Sequence, residues 1–371
     1  MVLGIEATNI QAGGGVIHLK ELLSHANPND HGFYKVIVWA SQKTLNQLPD
    51  RNWLIKKTHP WLNRHVIFRM LWLKFIFPKD ARKSIDILFS PGANTSDFYP
   101  FVSMCQNLLP FDRKESELYG LSWMRIRLVL LRYTQTISFK KAQGIIVLTE
   151  SNIRYLTTIA SNIAEKCCVI PHGINPVFFQ EPSFKELNDP IKLLYVSIVD
   201  VYKHQWNVVE ATYSLVEKGY NVELTLLGAQ YGAAFNKLET SVNLHPEYAG
   251  RITYLPAIPY EQLKQVYQAA DIFVFASSCE TFSLVLLESM ASSLPIACSD
   301  RDTLKDTLGD AGVYFDPYSP ESIEKALIKL IEDPSLRQEL SNKGYTRAKS
   351  YSWSVCADQT FQFLSNIAKA K

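Results

Sequence analysis

Residues 271–300 read DIFVFASSCETFSLVLLESMASSLPIACSD. The stretch divides into an apolar run ending at Phe275, a loop of small residues that presents Glu280, a helical pattern opening near Ser283, and a second apolar run at 295–298. Strand, loop, helix and strand in this order form the repeating unit of a parallel sheet. Neither run alternates apolar with polar residues, which is how strands covered on both faces read.

The same rhythm extends in both directions. Strands are expected at 2–7, 35–40, 86–89, 101–105, 144–148 and 167–170, then at 192–196, 221–227, 252–255, 271–275, 295–298 and 312–315. Helical patterns such as 206–218, 260–269 and 321–332 separate them. The fold class is therefore α/β, with two Rossmann-like, doubly wound domains facing a cleft and ligands expected at the carboxyl ends of strands. The expected bounds are 1–175 and 176–350. Stretch 173–190, with Pro176, Pro182 and Pro190, serves as linker, and a last helix within 351–371 packs back on the first domain.

A chain of 371 residues suits two domains, and 47% apolar with 20% charged residues is globular composition. Disordered, collagen-like and small disulfide-stapled classes are excluded. The formal charge of +2 conceals an asymmetry. Residues 1–180 carry 21 Lys/Arg against 12 Asp/Glu, a balance of +9, and residues 181–371 carry 17 against 24, a balance of −7. The basic half suits phosphate, an anionic membrane surface or nucleic acid.

None of the six cysteines forms a C-x-x-C pair, which points to a reducing compartment without a zinc framework. The N-terminus lacks the basic-then-apolar pattern of a signal peptide, and the apolar stretch 65–77 is broken by Arg69 and Lys74. A cytoplasmic protein, with peripheral contact at the inner face of a membrane, is the expectation.

Glu280 and Glu288 flank the start of the 283–291 helical pattern. Backbone N–H groups at Ser283, Leu284 and Val285 would offer an anion site there. A carboxylate on each side of that site can accept hydrogen bonds from vicinal hydroxyls. Phosphate between two hydroxyl-rich groups describes a nucleotide sugar. The competing reading makes Glu280 a helix cap and Glu288 a solvated helix residue, but the apolar neighbours Leu284, Leu287 and Ala291 count against it.

On these residues, and on the following GDAGVYFDPYSPESIEKAL, the chain resembles the retaining glycosyltransferases of family four, whose fold is GT-B. The resemblance runs over nearly the whole chain and is strongest across 191–350. It implies that Glu288 binds ribose hydroxyls, that Glu280 touches the transferred sugar, and that Phe282, Ser283 and Leu284 line the sugar and diphosphate. Ala257 and Ile258 are further donor contacts. Lys203, at the end of the strand-to-loop segment 195–205, would neutralise the departing diphosphate. Standing alone, it would be an exposed loop lysine. The family's Arg is replaced by Ile198, which leaves His204 or a helix end to supply the missing charge.

In the first half, three glycines at 13–15 open a helical pattern after the first strand and allow close approach to phosphate or sugar; a plain tight turn reads equally well. The resemblance places this loop against the donor diphosphate or the acceptor, with Gly14 and Gly15 nearest, and the two glycines are expected to bind the donor. The segment is not G-x-G-x-x-G, which weakens a nicotinamide-binding reading. Gln106 and Asn107 follow the expected strand 101–105, with Gln106 where many relatives have His. Together with His18 they are expected to position the acceptor or sugar. A front-face retaining reaction needs no protein base, because the leaving phosphate can deprotonate the acceptor.

Asp300-Arg-Asp302 is read as a polar loop and helix cap rather than a metal site. His and Cys clusters with ligand spacing are otherwise absent from the sequence, so no metal and no cofactor are expected. His172 and Gly173 are assigned to packing or hinge duty. The resemblance implies transfer of a hexose, glucose first, from a UDP-sugar to a glycan or lipid-linked acceptor in polysaccharide or cell-envelope assembly. A non-catalytic sugar-nucleotide sensor or scaffold of the same fold competes with this reading, on the strength of Ile198 and Gln106. Two basic, aromatic-rich helical patterns, 64–77 and 123–133, read either as a face lying on anionic lipid or as ordinary helices with solvated charges. No nucleic-acid-binding module accompanies the charge.

Overall fold

A computed structural model of the chain describes residues 1–94 and 97–370. These form two compact units. The first comprises residues 1–113, 121–173 and 351–371, and the second comprises 114–120 and 174–350.

The first unit holds strands β1 (Val2–Glu6), β2 (Lys35–Trp39), β3 (Leu54–Lys57), β4 (Ile87–Ser90), β5 (Phe101–Met104), β6 (Gly144–Val147) and β7 (Cys167–Val169). Their order is β3-β2-β1-β4-β5-β6-β7, and every pairing is parallel. The second unit holds β8 (Ile191–Val196), β9 (Val222–Leu227), β10 (Ile252–Leu255), β11 (Ile272–Phe275), β12 (Ile296–Ser299) and β13 (Val313–Phe315). Their order is β10-β9-β8-β11-β12-β13, again all parallel. Both are doubly wound sheets, with the strand order reversing between β1 and β4 and between β8 and β11. The apolar runs became strands because helices cover both sheet faces. Leu88, Phe89, Ile145, Val147, Phe273 and Phe275 are all fully buried.

Three features depart from expectation. β3 has no counterpart among the expected strands: it is a half-exposed edge whose Lys56 and Lys57 hide the apolar signal and guard the open edge. Stretch 173–190 is no free linker. The Gln180 N–H donates to the Ala291 carbonyl at 3.0 Å, and the Asn188 side chain donates to buried Asp271 at 2.8 Å. Pro176 opens a 3-10 turn, Pro176–Phe178, and Pro190 directly precedes β8. The first domain is also not continuous through 1–175, since residues 114–120 belong to the second unit.

Helix Trp353–Lys369 closes the first unit against helix Gly14–His25. Its Phe361 ring packs edge-on to Phe33 at 6.1 Å. Among the described residues no helix is long and apolar enough to cross a membrane.

Candidate functional site

The second unit carries eight of the thirteen expected site residues, and six of them lie on the segments that follow β8 and β11 at the switch point of its sheet. The chain leaves β8 through Val199, whose N–H donates to the Ala229 carbonyl at 2.8 Å. Gly228 makes this turn possible: its φ is +154°, and a Cβ there would lie 1.9 Å from the Ser197 carbonyl oxygen. Buried Asp200 then accepts from the Val201 N–H at 2.7 Å and from the Tyr119 hydroxyl at 2.8 Å. Burial pushes the Asp200 carboxyl up, and the two hydrogen bonds oppose that shift.

The short 3-10 turn Val201–Lys203 ends on a buried lysine, whose carbonyl accepts from the Tyr195 hydroxyl at 2.6 Å. Lys203 Nζ donates to Glu280 Oε1 and lies 4.9 Å from the Tyr202 ring and 5.2 Å from the Phe275 ring. Lys203 is therefore no exposed loop residue. Strand register explains the encounter, because β8 and β11 are hydrogen-bonded neighbours and both residues follow their carboxyl ends.

Past β11, the Ser278 N–H donates to the Tyr202 carbonyl at 2.9 Å. The Ser278 hydroxyl lies 2.5 Å from Glu115 Oε2 and 2.9 Å from His204 Nε2. One hydroxyl proton cannot serve both, so with the carboxylate accepting, His204 donates through Nε2–H. Burial, aided by the nearby charges of Lys237 and Arg301, lowers His204 to about 4. His204 is therefore neutral at pH 7 and cannot stand in for the Arg that Ile198 replaces. Ile198 itself is exposed.

Ser283 caps helix Leu284–Ala291, its Oγ accepting from the Leu286 N–H at 3.4 Å. The first helical acceptor bond in this helix runs from Leu287 N–H to the Ser283 carbonyl. The N–H groups of Leu284 and Val285 thus precede the helical ladder. Ser283, and not Glu280, is the cap. Phe282 and Ser283 are buried and Leu284 half-buried. Glu288 lies inside the unit, accepting from the Tyr267 hydroxyl at 2.9 Å. Burial lifts its carboxyl to about 7, against the pull of hydrogen bonds from Tyr267 and Tyr260. The solvated-helix reading of Glu288 is overturned. Ala257 is exposed and Ile258 half-buried, just beyond the carboxyl end of β10.

Sequence reasoning missed Glu115. It is buried, accepts from Ser278, and takes a second hydrogen bond from the Tyr318 hydroxyl. Lys114 Nζ sits 4.0 Å above the Tyr318 ring. Nothing in the sequence ties segment 114–120 to residues more than 150 positions away, so no local signal marked it. Asp300 is paired with Lys305, and helix Asp302–Leu308 starts at Arg301 without a side-chain cap, so neither aspartate caps it.

In the first unit, helix Gly14–His25 starts behind Gly13, whose φ of +68° favours glycine. Gly14 is exposed, and a Cβ on Gly15 would approach Gln106 Oε1 to 3.2 Å. Gln106 Nε2 donates to His18 Nδ1 at 3.1 Å. His18 is fully buried, and burial lowers it to about 4. It backs Gln106 and does not face solvent. Asn107 is exposed, and its Oδ1 accepts from the Leu109 N–H at 3.0 Å, a turn role. Glu6, at the end of β1, is a second missed residue. It is buried, accepting from the Thr8 N–H at 2.8 Å and from Asn94 Nδ2 at 2.7 Å. A carboxylate ending the otherwise apolar VLGIE was the available signal.

The expectation that no His/Cys cluster exists also needs correction. Ligand atoms of His18, His172 and Cys356 lie within 4.8 Å of one another, from three separate segments. Both imidazoles are lowered by burial, and the His172 ring packs on Trp353 at 5.4 Å. These contacts form a joint between the first helix, the segment after β7 and the last helix.

Two doubly wound parallel sheets, with the Lys203–Glu280 ion pair at the switch point of the second and buried Glu288 on the helix that follows, define the class as α/β. The family model for glycosyl transferases group 1 matches residues 146–347, more than half the chain, and the chain belongs to that family. It is 37% identical over 111 residues to the O-antigen chain mannosyltransferase B of Escherichia coli, a stretch covering 30% of this chain and 29% of that protein. The chain thus spans less than a third of that relative's length. Sucrose-phosphate synthase from Thermosynechococcus elongatus superposes with a TM-score of 0.78 at 18% identity, covering 100% of each chain. Anabaena HepE in complex with UDP and glucose gives 0.73 at 14% identity, covering 99% of this chain and 100% of that one. These likenesses establish the GT-B fold.

Proposed function

We propose that the protein transfers a hexose from a nucleoside diphosphate sugar to a hydroxyl of a glycan or lipid-linked acceptor, with retention at the anomeric carbon and without a metal ion. The observation that carries the reading is the Lys203–Glu280 pair at the β8/β11 switch point, with Glu288 on the helix that follows. Glu288 accepts the ribose hydroxyls. The Leu284 and Val285 N–H groups and the Lys203 ammonium take the diphosphate, while Glu280, held by Lys203, accepts hydroxyls of the sugar. Phe282 and Ser283 shape the wall beside them, and Ala257 and Ile258 border the base.

In the transfer, the bond from C1 to the β-phosphate oxygen breaks and a bond from the acceptor oxygen forms on the same face. The acceptor proton passes to the departing phosphate oxygen. No side-chain base is required, which accommodates Gln106 in place of His. Of the first unit's residues, Gly14 and Gly15 are assigned to the donor, and Gln106 and Asn107 to the acceptor or sugar, with His18 positioning Gln106.

UDP-glucose is the proposed donor, supported by the UDP and glucose bound to HepE; the mannosyltransferase relative makes a mannose donor the competitor and an O-antigen-like glycan the model acceptor. The second reading, a sensor that binds without transfer, rests on Ile198. Incubation with UDP-glucose, UDP-galactose and GDP-mannose, with and without pooled glycan acceptors and with chelator present, tests the proposal. Acceptor-dependent release of one nucleoside diphosphate is the expected result. Binding without release supports the sensor, and loss of release on chelation contradicts metal independence.

A further inference from the structure

Helix Trp123–Lys141 carries apolar side chains on its outer face as well as its inner one. It buries Leu128, Gln135, Ser138 and Phe139, whereas Trp123, Ile126, Leu130 and Tyr133 recur along another face at 75%, 53%, 56% and 68% exposure. Helix Val66–Phe75 repeats the pattern, with Ile67, Met70 and Phe75 exposed and only Trp72 buried. Leu121, just before the longer helix, is wholly exposed. An apolar surface of this extent is uncommon on a monomer unless something covers it.

Charge identifies the covering material. Stretches 64–77 and 121–141 contain Arg64, Arg69, Lys74, Arg125, Arg127, Arg132, Lys140 and Lys141, and no Asp or Glu. Arg69 is lowered first by burial and then by the charge of Arg127, so cations of the two helices share one field. Apolar and aromatic side chains ringed by cations match a layer of acyl chains beneath anionic headgroups, with Trp and Tyr at the boundary. A protein partner would have to supply both a large apolar face and a surplus of carboxylates.

We propose that the face carried by helices Val66–Phe75 and Trp123–Lys141 seats the protein on an anionic phospholipid bilayer, lying in the interface and not crossing it. The proposal rests on this surface and not on the reading of the donor site. Seating here would hold the enzyme where lipid-linked acceptors reside.

The test is sedimentation of the full chain with vesicles of phosphatidylcholine alone or with about one-third phosphatidylglycerol, at low and high salt. Binding to the anionic vesicles, weakened by salt, is expected. Arg125→Gln with Arg132→Gln should weaken it about tenfold or more. Ile126→Ser with Leu130→Ser should weaken it at any salt concentration, with unchanged circular dichroism confirming the fold. As a measurement free of mutant stability, brominated lipid should quench the wild type more than Trp123→Phe. Absence of vesicle binding, equal binding to neutral vesicles, or a dimer in solution that the Ser substitutions dissociate would each overturn the proposal.

Discussion

Lys203 donates to Glu280 across the point where strand order reverses in the second sheet, and both side chains are largely withdrawn from solvent. Each partner therefore fixes the other's orientation, which separates two consequences of removing one. Lys203→Ala leaves a carboxylate in poor solvation and should cost stability, up to about 3 kcal/mol, as well as about 100-fold in turnover. The double variant Lys203→Met/Glu280→Gln should recover most of the stability and none of the turnover. Thermal melts alongside nucleotide release check this, and recovery of both would reduce the pair to a structural device.

Glu288 gives a pH signature. Its carboxyl is raised from 4.5 to about 7 by burial, so the protonated form favours the fold. Its contribution to stability is complete below pH 4.5 and is lost as pH rises through about 7. Ribose hydroxyls prefer the ionised form, so nucleotide affinity should increase from pH 6 to 8. Calorimetry across that range should show the trend in the wild type and a flat profile in Glu288→Gln.

Glu115 holds Ser278 and Tyr318 from a segment distant in sequence. Glu115→Ala strands both hydroxyls and should lower kcat/KM about tenfold, with a stability loss of about 2 kcal/mol. Tyr119→Phe removes one acceptor bond at Asp200 and should cost about 1 kcal/mol. Steady-state kinetics with urea unfolding distinguish the two.

How far the sequence reached depended on whether a residue's partners lie nearby along the chain. Among the described residues, apolar runs announced twelve of the thirteen strands because parallel strands are buried by construction, and β3 escaped through its edge lysines. Glu280, Glu288 and Ser283 were legible because one loop and one helix carry them all. Lys203 was named, but its burial and its pairing depend on β8 lying beside β11, which spacing alone does not encode. His204 was offered as a charge, yet Ser278 and burial keep it neutral. Glu115, and the joint of His18, His172 and Cys356, come from segments that only the tertiary fold assembles.

Ile198 provides a gain-of-function test. The side chain is exposed, while its carbonyl is held by the Gln205 amide at 2.7 Å. Ile198→Arg should leave the turn intact and strengthen binding of a nucleoside diphosphate about tenfold, the value of one charge-assisted hydrogen bond. Titration with UDP measures it, and an unchanged affinity would place the diphosphate elsewhere.

The most direct test of the central claim is calorimetric titration of UDP into the wild type and into Lys203→Met/Glu280→Gln. The account predicts that the wild type binds and that the folded double variant binds about 100-fold more weakly. Equal affinity in both proteins would contradict it, showing that the Lys203–Glu280 pair does not form the nucleotide-sugar site.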